Sequence, residues 1–219
     1  AKTMPQLETR EYRDLVKNLE IRKNQKGSED VEMRVEGYAT TFDEPYMRYS
    51  FRALDGTKVE VWEQIDVDAF KECDMSDVIM QYNHEGRVFA RRSNGTLDLT
   101  VDNHGLFISA DLSGTEIGRN LYEEIKGGYT NKMSFGFRVK EDTRVVTENH
   151  DTGIVDVLRT ITKIEKLYDV SAVSIPANDG TEISARSYCE GVIAELEAER
   201  LQIEQREKQK AKIRLLTEM

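Results

Sequence analysis

Lys132-Met133-Ser134-Phe135-Gly136-Phe137-Arg138-Val139 is the stretch on which the fold turns. Apolar residues alternate with small or polar ones, the period of a strand buried on one face. Ser134 sits in this run where a hydroxyl is unexpected, and Gly136, two residues on, points the same way and leaves space beside it. The segment reads as a strand carrying a nucleophile, with His84 and Asp169 as partners.

Working outward, most neighbouring segments keep the same period. Asn18 to Arg22 and Val31 to Ala39 alternate as strands, as do Lys58 to Glu63, Thr96 to Val101 and Leu106 to Leu112. Asp102-Asn103-His104-Gly105 is a tight turn joining the last two. Val78 to His84 opens as a continuous apolar run and ends in the polar residues Asn83-His84-Glu85-Gly86, which puts His84 at the mouth of a buried strand. Thr41 to Thr57 reads as an aromatic-rich irregular loop, and Asp66 to Cys73 as a short helix capped by Asp66. The period changes at Thr115 to Lys126, where Ile117, Leu121, Tyr122 and Ile125 share one helical face and Gly127-Gly128 is the stop. Glu141 to Gly153 reads as a charged loop or hairpin tip. Val155 to Ile175 alternates again until Pro176 to Gly180 ends it.

Both termini differ from this middle. Residues 1–14 are polar without clear period and are expected to be an adaptable leader. Residues 186–219 are rich in Glu, Lys, Arg and Gln with sparse apolar points, which predicts a long charged helix with opposite charge blocks at Glu195 to Glu199 and Arg206 to Arg214. Between them, residues 15–185 form the main domain.

Composition excludes several function classes. The 219 residues carry a formal net charge of -10, against the basic face that nucleic-acid binding needs. No apolar run reaches the roughly 18–20 residues of a membrane helix, and no basic-then-apolar leader precedes the domain, so a cytosolic protein without membrane attachment is expected. Cys73 and Cys189 have no ligand or disulfide spacing. Asp98, Asp102, His104 and Asp111 are close in sequence, but Asp-Asn-His-Gly is better explained as turn chemistry than as a metal site. No metal or other cofactor is expected.

The three histidines, His84, His104 and His150, make a nucleophilic mechanism easy to test. A serine hydroxyl needs a neighbouring base to take its proton, and the base works best when a third group fixes its tautomer. By residue type alone Ser134 reads as an ordinary strand serine rather than a nucleophile, His84 as a turn residue and Asp169 as a strand-edge charge. Spacing does not choose.

Four blocks in order bear on that choice: Val35 to Ala39, Tyr82 to Ala90, Met133 to Phe137, and Leu167 to Asn178. Over about Leu19 to Ala185 the chain resembles the tailed-phage prohead proteases. The resemblance implies a serine endopeptidase that cuts scaffold and capsid-protein precursors, and itself, inside an assembling procapsid in the host bacterial cytoplasm. It implies an α+β fold, mainly antiparallel: a closed or nearly closed β-barrel flanked by helices, similar to herpesvirus assemblin, and a homodimer or higher homo-oligomer. Carried onto this sequence, His84 matches the general base and Ser134 the nucleophile. Asp169 falls where assemblins carry a second histidine; Glu165, four residues earlier with the same parity, competes as third member. The turn after Ile175 lacks the arginine pair of assemblins, leaving backbone amides or Asn178 as oxyanion donors, with Gly136 giving room for peptide. The rival reading is a non-catalytic assembly module that binds scaffold through its C-terminal helix.

Overall fold

A computed structural model describes residues 10–21, 33–53, 56–149 and 151–174, over 14–18 for the backbone alone. In chain order the strands are β1 Glu11–Asn18, β2 Glu20–Ile21, β3 Arg34–Thr41, β4 Tyr46–Arg52, β5 Lys58–Ile65, β6 Ile79–Tyr82, β7 Glu85–Arg91, β8 Leu97–Val101, β9 Gly105–Asp111, β10 Lys132–Asn149 and β11 Ile154–Val173. Helix α1, Glu116–Lys126, stands between β9 and β10. Thr115 caps it, its hydroxyl accepting from the Gly118 amide at 3.0 Å, and Leu121, Tyr122 and Ile125 are buried on its inner face.

The long β10–β11 hairpin is the frame. Its two strands are antiparallel from Lys132–Val173 at one end to Asn149–Ile154 at the other. β1 covers the outer edge of β10 antiparallel. On the far side of β11, β5 pairs parallel with residues 154–161 and β6 parallel with residues 169–172. The seven-stranded sheet therefore forks, with β4 ending one arm and β7 the other. β2, β3, β9 and β8 make a separate four-stranded sheet. Met133, Phe135 and Phe137 face a common core with Ile108, Leu106 and the α1 side chains, and the two phenylalanine rings stack at 4.6 Å.

The expected closed barrel flanked by helices is thereby corrected. The strands form two sheets that do not close, two strand pairings are parallel, and α1 is the α-helix among the described residues. Alternation reports which face of a strand is buried; it carries no information about which strand lies alongside. Closure needs the two edges of a sheet to pair, whereas here β11 spends its far side on two different partners.

Local expectations shift as well. Glu11–Asn18 is a strand although residues through 14 were expected to be leader, and Tyr46–Arg52 is a strand within the supposed loop. β10 runs on to Asn149 through the expected charged tip. Asp66 to Cys73 forms consecutive turns, with Ala69, Lys71 and Cys73 amides donating three residues back, not a helix. The expected long C-terminal helix lies outside the described residues.

Candidate active site

Register builds the site. Tyr12, Gly136 and Asp169 are cross-strand neighbours over β1, β10 and β11, and Ser134 faces Ser171. Because side chains two apart share a face, Ser134, Gly136, Asp169 and Ser171 line one side of the sheet while Phe135 and Phe137 line the other.

His84 reaches this face from the β6–β7 turn. Tyr82 pairs with Glu85, so Asn83 and His84 form a two-residue hairpin loop, with φ of 50° and 61°. Such loops favour φ > 0 at both positions, a conformation that costs non-glycine residues about 1 kcal/mol or more each. The loop is held by its surroundings. The Asn83 amide donates to the Ala172 carbonyl at 3.0 Å, and the Asn83 side-chain oxygen accepts from the Ser174 amide at 3.2 Å. Tyr12 packs on the imidazole with ring centroids 4.4 Å apart.

So placed, His84 bridges two groups. Its Nε2 lies 2.5 Å from Ser134 Oγ, and its Nδ1 is hydrogen-bonded to Asp169 Oδ2. Asp169 is fully buried. Its carboxylate also accepts from Ser171 Oγ at 2.7 Å and from Arg10 Nη2. A carboxylate with these partners acts as acceptor, which makes Nδ1 the protonated nitrogen and turns the Nε2 lone pair towards the serine hydroxyl. Burial, and then the Arg10 cation, lower the His84 pKa from its ordinary 6.5 to about 4. At neutral pH the imidazole is thus uncharged and able to accept a proton. Ser134 is itself buried, so a substrate carbonyl reaches Oγ only after surrounding groups shift.

The remaining sequence candidates fall elsewhere. Glu165 is 46% exposed and paired with Arg138 at 2.6 Å. Four residues along a strand separate it from Asp169 by about 13 Å, so shared parity does not bring it to His84. The space beside Gly136 is filled: a Cβ there would meet Asp169 Oδ1 at 2.3 Å, Arg10 Nε at 2.9 Å and Tyr12 at 2.9 Å. That glycine accommodates the carboxylate rather than a peptide. Asn178 lies outside the described residues. His104 is in the β8–β9 turn, edge-on to Tyr38 at 4.5 Å, where Asp102 accepts the turn amides. Among the described residues no group of three or more His, Cys, Asp or Glu is arranged to hold a metal.

Sequence reading missed Arg10, Tyr12, Asn83 and Ser171. Ser171 was detectable, since it is two residues from Asp169 and shares its face. Arg10 and Tyr12 carried no periodic signal.

Residues 17–192 match the family model described as Caudovirus prohead serine protease. This chain belongs to that family. No curated protein and no solved structure matches it. Family membership makes the chain a serine peptidase of phage capsid maturation, acting in the prohead. The match includes His84, Ser134 and Asp169 within its span and begins after Arg10 and Tyr12. Among the described residues of this prohead protease, no helix is long and apolar enough to cross a membrane.

Proposed function

We propose that Ser134 is the nucleophile, His84 the general base and Asp169 the orienting acid of an endopeptidase that cleaves scaffold and capsid-protein precursors, and its own chain, during prohead maturation. The observation that carries this reading is the continuous chain of hydrogen bonds from Asp169 through His84 to Ser134 Oγ.

In the first step Ser134 Oγ attacks the scissile carbonyl carbon as its proton passes to His84 Nε2. The imidazolium that forms is stabilised by Asp169, which keeps its own charge and holds Nδ1–H. Collapse of the tetrahedral intermediate breaks the C–N bond, and the Nε2 proton goes to the departing amine. Water then enters, gives its proton to Nε2 and attacks the acyl-serine; return of that proton to Oγ frees the new carboxyl terminus. The developing oxyanion needs nearby donors. Asn178 and backbone amides that follow β11 in sequence are the proposed source.

Incubation with capsid and scaffold precursors tests the assignment. The parent protein yields defined fragments and its Ser134 is labelled by a fluorophosphonate. Ser134→Ala gives neither, a loss of at least about 1,000-fold. Fragments at the parental rate from Ser134→Ala would show that another residue is the nucleophile.

A further inference from the structure

Arg10 stands just before β1, outside the family match, in a stretch where sequence gave no reason to look. Its guanidinium nevertheless enters the site from the side opposite His84. Nη2 donates to Asp169 Oδ1, while His84 and Ser171 occupy Oδ2. The guanidinium lies over two rings, 5.1 Å from the Tyr12 centroid and 4.7 Å from that of Tyr168. Tyr12 in turn packs on His84. The absent side chain of Gly136 provides the space, since a Cβ there would strike both Asp169 Oδ1 and Arg10 Nε.

We infer that Arg10 is a positioning residue of this protease: it holds the Asp169 carboxylate from behind and shares its charge, so that the acid orients His84 without making it a strong base at rest. The inference rests on the reading of Ser134, His84 and Asp169 as the catalytic set.

The physical argument is a balance of charges. A buried carboxylate beside an imidazole normally favours the imidazolium and raises the histidine pKa. Here a cation sits on the other carboxylate oxygen, cancels part of that attraction, and acts together with burial to keep His84 neutral. The histidine can then accept the Ser134 proton in mildly acid solution, where an ordinary histidine begins to be lost as a base. Among the described residues the charged groups facing His84 are Asp169 from β11 and Arg10 from just before β1; Tyr12 packs on its ring, and Ser171 reaches it through Asp169. Lysine at position 10 preserves the charge but gives up the planar stacking on two rings.

The test uses the full-length chain and two readouts: the rate of fluorophosphonate labelling against pH, and the NMR titration of the His84 ring. The titration is made in a Ser134→Ala background, so it needs no activity. Arg10→Met is expected to raise the His84 pKa by about one unit or more, so that labelling at about pH 5 falls several-fold relative to parent while labelling at about pH 8 changes less. Arg10→Lys should recover most of the parental profile. Tyr168→Leu, which removes one of the stacking faces and leaves both charges, should move the pKa in the same direction by less, and serves if Arg10→Met does not fold. A His84 pKa unchanged within about 0.3 units in the foldable variants overturns the inference. Loss of the underlying reading looks different: the parent would remain unlabelled at Ser134, or Ser134→Ala would cleave normally, whatever the Arg10 variants did.

Discussion

Two charge clusters meet at the start of β1, on opposite faces of one sheet, and they have opposite characters. On one face Arg10 meets Asp169, which meets His84 and Ser134. On the other, Arg13 pairs with Glu63 and Glu11, and Arg159 pairs with Glu63, Glu11 and Asp142 at 3.0, 2.9 and 2.6 Å. Tyr46 donates to Glu63 at 2.5 Å. In this second cluster burial works to raise the carboxyl pKa of Glu63, but Arg13 and Arg159 outweigh it and hold the group far below the usual carboxylate range. Arg13 loses by burial and gains more from the same carboxylates, so its pKa rises. Glu63 and Arg13 are both driven away from neutrality, and the acceptors of the set are held by guanidinium groups or a tyrosine. The site cluster contains what the other lacks: a histidine, placed to take a proton from the serine hydroxyl beside it. Buried charge becomes chemistry when one member of the network is left poised between two protonation states.

Exchange of the acid on the proposed catalytic side should produce the largest effect. Asp169→Asn keeps shape but replaces the acceptor of Nδ1–H, allowing the wrong tautomer, and kcat/KM against a precursor peptide should fall about 1,000- to 10,000-fold. A reduction of less than about tenfold would break the contrast, because Asp169 would then be as structural as Glu63. The matching exchange on the other face is Glu63→Gln. It leaves Arg13 and Arg159 with an uncompensated buried charge, and denaturant unfolding should show a loss of about 3–5 kcal/mol. The His84 titration should not move. If it did, the two faces would be one coupled system.

The smallest effect sharpens the difference through pH. His84 has a folded pKa of about 4, below its ordinary 6.5, so the unfolded chain binds the extra proton first as pH falls. Its contribution to stability is complete above about pH 6.5 and is lost progressively down to about 4. Labelling of Ser134 should accordingly keep its acid limb below that of an unperturbed histidine, and thermal unfolding of the parent should begin to weaken below about pH 6.5. In a His84→Gln variant the part of that decline due to this residue disappears. An acid limb at or above 6.5 in the parent would contradict a histidine shielded by burial and Arg10.

Part of the proposed site was legible, since three of its residues are marked by type and by position on a strand, although only the family resemblance singled them out as a set. Ser134 stood out as a hydroxyl in an apolar strand, His84 as a histidine at a strand mouth, and Asp169 as an acid in the strand that follows. The alternatives failed for reasons of distance and packing. Glu165 shares parity with Asp169 yet is engaged with Arg138 at the surface, and the room beside Gly136 belongs to a carboxylate and a guanidinium. Helix α1 was readable from its period and its Gly127-Gly128 stop, because both are set by residues close together in the chain. The turns at Asp66 to Cys73 mimic a helix start in sequence; Asp66 Oδ1 accepts from the Asp68 amide at 2.8 Å, an Asx turn that does not propagate into a helix.

Returned to Lys132 to Val139, the sequence by itself determined that this segment is a strand with one face for a core and Ser134 on the other, since alternation is a property of the chain's own geometry. Tertiary structure alone decided who its neighbours are. β1 on one side, β11 on the other, and a forked sheet in place of a barrel follow from strand pairings between residues far apart in the chain, such as Glu11 with Phe137. Backbone hydrogen bonds are chemically alike in every strand, so pairing is selected by the combined packing of the whole core. That selection is what brings Arg10, invisible in the sequence, to the back of the Asp169 carboxylate.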